Sequence, residues 1–128
     1  MDGLIIASGV LAAFAAIGHL VIGGKSFLVP MTSAQFDAVP KKVMHCVFHF
    51  ITVDFFLSAG LLLLAGFGVG LKWDPSLAIF LVGAKFGGYA VVQVAMVLAS
   101  GIPKGLAKIF QWVFFVGISV LALIGILV

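Results

Sequence analysis

The sequence contains no arginine and no glutamate. Its charge rests on 7 lysines and 4 aspartates, 9% of 128 residues. Soluble domains carry about 25% charged residues. A chain of this size also has too little interior to hide 64% hydrophobic residues from water. This scarcity of charge excludes a soluble enzyme and a disordered tail, and it makes the lipid bilayer the expected solvent. Cysteine is nearly absent too. Cys46 stands alone, so there is no intrachain disulfide and no secreted disulfide scaffold. No Cys-x-x-Cys-His motif is present, which excludes a covalent c-type haem. The pI of 9.3 could suit nucleic acid. The lysines are scattered between apolar runs rather than clustered in a patch, so no nucleic-acid partner is expected. There is no phosphate-binding loop and no nucleophile-base-orienter set, so the chain leans away from an enzyme.

What is present is length in apolar runs. A transmembrane helix needs about 20 such residues, and four runs qualify, at about 3–24, 40–67, 75–99 and 103–128. The expected fold is all-α, a single domain forming an antiparallel bundle of four membrane-spanning helices. Asp74-Pro75 reads as an N-cap with proline at the first helical position, and Pro40 and Pro103 can open helices in the same way. Gly23-Gly24, Gly66, Gly68, Gly70 and Gly101 punctuate the ends. Within loop 25–39, Thr32-Ser33-Ala34-Gln35 has the form of a capping box opening one short turn. Phe27, Leu28, Phe36 and Val39 would let that loop lie on the membrane surface.

Orientation follows the lysines. Lys25, Lys41, Lys42, Lys104 and Lys108 fall on one side, against Lys72 on the other. The positive-inside rule then places the first and third loops in the cytoplasm and both termini on the non-cytoplasmic side. A bacterial inner membrane is the expected location. Asp2 and the lack of an N-terminal lysine agree with an exported N-terminus and argue against a cleaved signal peptide. Trp73 sits where an interface anchor belongs, whereas Trp112 fits packing. Gly83 and Gly87 form a small-xxx-small pair, and Ala84 and Gly88 a second, which makes the third span the expected central helix. The same small and aromatic faces would equally suit a partner protein.

Ionisable residues inside spans are costly and mark functional sites by default. Here they are Asp54, Lys85, His19, His45 and His49. At 1.5 Å rise per residue, Asp54 and Lys85 both lie roughly 20 Å from the cytoplasmic ends of their helices. They share a level and are opposite in sign, so an intramembrane ion pair is expected. It would either fix the register of two helices or serve as a proton or ion relay. His45 and His49 share a helix face at i, i+4, which Thr52 extends, and His19 falls at a similar depth on the first helix. Lys85, Tyr89 and Gln93 form another single face. Gln93 and Gln111 should lie near the histidine level, giving a polar cavity in the cytoplasmic half.

Three imidazoles could hold zinc, copper or iron, and two facing histidines could ligate a b-type haem. A quinone or lipid headgroup could hydrogen-bond to a histidine, and a histidine could serve as a proton switch. The bland alternative is hydrogen bonding to backbone, water or headgroups. Cys46 points about 100° away from His45 and suits packing better than ligation.

Gly18-His19, Gly23-Gly24, Leu28 to Pro30, Lys41-Lys42 and Phe48-His49 together resemble a recurrent group of small bacterial four-helix membrane proteins. These have a histidine late in helix one and an aromatic-histidine pair early in helix two. This chain has Gly18 where alanine is usual and Phe48 where tryptophan is usual. The resemblance spans the first half of the chain. It implies the four-helix topology, draws attention to His19 and His49, and implies no reaction.

The leading expectation is a small membrane protein binding a metal ion or haem through His19, His45 and His49. The rivals are an accessory or assembly subunit of a larger membrane complex and a small transporter using Asp54 and Lys85. Four helices are too few for a wide solute path, so a transporter would be a homo-oligomer.

Overall fold

The computed structural model describes residues 2–70 and 72–128. Regular structure among them is entirely helical: α1 (Gly3–Gly18), a π-wound segment (His19–Leu28), α2 (Val29–Ser33), α3 (Ala38–Phe67), α4 (Ser76–Ala99), α5 (Gly105–Lys108) and α6 (Trp112–Gly125). Three helices are long and apolar enough to cross a membrane: Gly3–Ser33, Ala38–Phe67 and Ser76–Ala99, of 31, 30 and 24 residues. The shortest spans about 36 Å, against about 30 Å of bilayer hydrocarbon. The outward faces stay apolar along their length, with Leu57, Leu77 and Val91 each 69% exposed.

The helix ends follow local chemistry. Asp2 caps α1, its Oδ1 accepting from the Leu4 and Ile5 amides at 2.9 and 3.1 Å. Gly68 ends α3 with φ +68°, while its own amide and that of Val69 bond back to the Ala65 and Leu64 carbonyls. That is the double bond of a Schellman ending, and it needs a left-handed residue that glycine supplies without a Cβ clash. Asp74 Oδ1 accepts from the Ser76 amide at 3.0 Å and hydroxyl at 2.7 Å, which holds its carboxyl below the ordinary carboxylate range.

Two boundaries differ from the sequence expectation. Gly23-Gly24 does not end the first helix. The chain continues through ten π-wound residues into α2, and the Phe48 ring lies 3.5 Å from where a Gly23 Cβ would stand, an ordinary contact. Packing against α3 therefore outweighs glycine's weak helix propensity. In consequence Thr32 and Ser33 lie at a helix end, their hydroxyls bonding back to the Leu28 and Val29 carbonyls, and the capping box does not form.

The second difference is the run at 103–128, which is not one helix. Lys104 adopts φ +54°, α5 makes a single turn, and Ile109 leaves helical geometry at φ −116°, ψ 72°. The 14-residue α6 that follows is about 21 Å long. Trp112 Nε1 donates to the Leu106 carbonyl at 3.1 Å, satisfying a backbone group near the break.

Packing runs α3–α1–α6–α4, with α1 close against both α3 and α6, and α4 close against α6. The central helix is therefore α1, not the span carrying Gly83 and Gly87. Those two glycines face Leu123 and Ser119 of α6, whereas Ala84 and Gly88 are exposed. Phe55, Leu62, Ile79, Phe86 and Ile118 fill the core. The Ser8 hydroxyl donates to the Ile118 carbonyl at 2.8 Å, tying α1 to α6. By contrast α3 and α4, neighbours in sequence, hardly pack on each other. That loose seam creates the candidate site.

Candidate functional site

The seam between α3 and α4 is bridged by polar side chains. Lys85 Nζ on α4 donates to Asp54 Oδ1 on α3 at 2.7 Å and to Ser58 Oγ at 2.7 Å. The Ser58 hydroxyl in turn donates to the Asp54 carbonyl at 2.7 Å. The Tyr89 hydroxyl reaches Asp54 Oδ2 at 3.3 Å, and the ammonium lies 5.2 Å from the Phe86 ring centre. Both charged side chains are part-buried, at 28% and 32% exposure. A lysine and an aspartate can occupy an apolar helix seam only with this kind of mutual neutralisation and hydrogen bonding. Ser58 is the member that the sequence reading missed. It stands four residues after Asp54, one helical turn along the same face, and that spacing was a usable signal.

Beside this bridge lies an open cleft of ≈ 780 Å³. Its walls are mainly apolar, including Phe55, Val92, Ile109 and Phe115, and Lys85, Tyr89, Gln93, Gln111 and His19 bring polar groups to it. Phe55, Phe86, Tyr89 and Phe115 form a cluster with ring centres 5.5 to 6.4 Å apart. Lys85, Tyr89 and Gln93 project along one face of α4 because they are four residues apart, about 6 Å of rise each. Gln93 Nε2 donates to Gln111 Oε1 at 3.0 Å, joining α4 to the segment just before α6. A second cavity of ≈ 670 Å³ lies between the first helix and the broken fourth segment, with Lys108 and Ser26 among its lining residues. It shares His19, Phe27, Phe55, Gln111 and Phe115 with the cleft, so the two spaces meet there.

The histidines are not gathered. His19 Nε2 donates to the Phe48 carbonyl at 3.0 Å, and its ring stacks on the Phe48 ring with centres 4.1 Å apart. A carbonyl only accepts, so this bond places the His19 proton on Nε2. His49 meets the same Phe48 ring edge-on at 5.5 Å, and its ring centre lies 5.1 Å from that of His45. His49 itself is exposed. Phe48 thus contacts both His19 and His49. Among the described residues, no three of His, Cys, Asp and Glu are placed to hold a metal ion. Thr52, expected to line a cavity, is buried, with its hydroxyl bonded to the Phe48 carbonyl at 3.1 Å.

Comparison with known proteins gives no match: no family model fits the chain, and no curated protein or solved structure is significantly similar to it.

Proposed function

We propose that the protein is a small integral membrane protein of the bacterial inner membrane that binds a membrane-soluble small molecule in the cleft between α3 and α4. In this reading the chain crosses the bilayer four times. The segment 105–111 and α6 together make the last crossing, and both termini face away from the cytoplasm. Five of the six loop and end lysines on one side support that orientation.

The observation that carries the functional reading is the cleft itself. An open, mainly apolar groove of ≈ 780 Å³ with a few polar side chains along it suits a membrane-soluble small molecule. Its position at the loosely packed seam gives a lipid-dissolved molecule a lateral way in. Phe55, Val92 and Phe115 would hold an apolar body, while Tyr89, Gln93 and Gln111 would orient a polar end. A metal ion or haem on His19, His45 and His49 is the competing assignment; against it, His19 Nε2 is engaged by the Phe48 carbonyl and no three possible ligands come together among the described residues.

Organic-solvent extraction of the protein purified from its native membrane tests the proposal. The expected result is one predominant apolar compound at close to one mole per mole of protein, in a colourless sample. A Soret band would overturn the proposal, as would stoichiometric metal with no enriched organic compound. Collapse of a larger complex when this chain is removed, with no enriched compound, would favour an accessory subunit instead.

A further inference from the structure

Gln93 is half satisfied. Its Nε2 donates to Gln111, but its Oε1 is buried and has no hydrogen-bond partner. Buried polar groups are nearly always paired, and one left orphaned in an apolar surrounding is costly. This one stands at the junction of the two cavities: Gln93 lines the cleft and Gln111 lines both spaces. The Gln111 side chain makes no capping bond, while its backbone carbonyl accepts from the Phe114 and Phe115 amides. Moving that side chain would therefore leave the start of α6 intact.

We propose that Gln93 Oε1 accepts a hydrogen bond from a ring hydroxyl of the ligand, so that the cleft takes a phenol- or quinol-type molecule. This rests on the cleft-binding reading above and names the chemical class of its ligand. An amide oxygen calls for a donor, which a carbonyl, ester or ether lacks. A cationic donor would meet the Lys85 ammonium lining the same cleft, so a neutral hydroxyl is the fitting group. Phe55, Tyr89 and Phe115 line the space. Offset-stacked or edge-to-face contacts there favour a ring over a saturated chain.

The test uses the full chain in lipid nanodiscs, with tritiated 4-nonylphenol as the probe and empty nanodiscs as the blank. Its methyl ether, 4-nonylanisole, has the same tail and ring but no hydrogen to donate. The ether is expected to compete about tenfold more weakly than unlabelled 4-nonylphenol, the discrimination given by one hydrogen bond to a buried acceptor. Gln93→Leu is expected to bring the two to equal strength. Equal competition in the wild type would overturn the proposal, because water or a turned amide would then be serving that site. A tenfold difference persisting in Gln93→Leu would also overturn it, since bulk alone would be the cause. The wild-type comparison stands even if the variant fails to fold. Binding of neither probe above the blank would overturn the cleft reading itself, and this one with it.

Discussion

Lys85→Met in a chain that keeps Asp54 is expected to destabilise the protein by about 3 kcal/mol, the low end of the range for breaking a buried ion pair. Lys85 opens on the cleft and the two side chains are 28% and 32% exposed, which places the pair at that end of the range. The loss comes from the aspartate left behind. Asp54 would keep only the 3.3 Å contact from Tyr89 in a surrounding too apolar to solvate an anion. Asp54→Leu alone should cost a similar amount by stranding the ammonium. The double variant Asp54→Leu, Lys85→Met should recover most of the loss, because two apolar side chains of similar bulk satisfy the seam without a charge to compensate. Unfolding titrations of the four proteins in mixed micelles measure this directly. A double variant whose loss equals the sum of the single losses would mean that the two groups are not coupled. The same double variant also separates the two roles of the pair. If it folds and still retains the bound compound, the pair serves the register of α3 and α4 alone.

Gly66→Ala is the second large effect. A Cβ at Gly66 would stand 2.8 Å from the Ile6 amide nitrogen and 3.2 Å from its Cα. These are backbone atoms of α1, so no rotamer change relieves the clash and the two helices must separate. A cost of about 2 kcal/mol is expected, within the range for overpacking, and Gly66→Leu should cost more. Gly60 lies on the same helix, and a Cβ there would have nothing within 4 Å. Gly60→Ala should be neutral or stabilising by up to about 1 kcal/mol, through helix propensity alone. Equal melting temperatures for Gly66→Ala and Gly60→Ala would contradict the close α1/α3 contact. That contact matters to the cleft, because α1 is the helix on which both α3 and α6 are seated.

Much of this architecture can be read from the sequence where one local rule acts alone. The 40–67 and 75–99 runs differ from α3 and α4 by no more than one or two residues at each end, since apolar length and Gly68 decide them without help from elsewhere; Pro75 rather than Asp74 is the N-cap of α4, and Pro40 lies inside α3 rather than opening it. Asp54 and Lys85 stand out because they are the charges with no loop to occupy, and the rise per residue sets them at one level. The first helix is harder. Gly23-Gly24 reads as a stop, yet the chain winds on through both glycines with the Phe48 ring of α3 beside Gly23. The break before α6 has no proline or glycine at 109–111 to announce it. Gln111, the one polar residue there, carries the only signal, and its partner Gln93 is 18 residues away. The histidine spacing gives a shared helix face but cannot say that Phe48, one position before His49, turns toward His19. A spacing rule specifies which side chains can meet, and a neighbouring aromatic ring decides which of them do.

The central claim is that the cleft between α3 and α4 holds a small molecule, and filling that cleft tests it most directly. Gly88 lines the cleft and has nothing within 4 Å of where a Cβ would stand, so Gly88→Phe adds a ring to the space without disturbing a packed helix contact. Native mass spectrometry of wild type and Gly88→Phe, both released from native membranes, reads the occupancy. The account predicts a single bound species on the wild type, its occupancy lowered at least tenfold in a variant of unchanged melting temperature. Equal occupancy in the two proteins, or a wild type with no bound species, would contradict it.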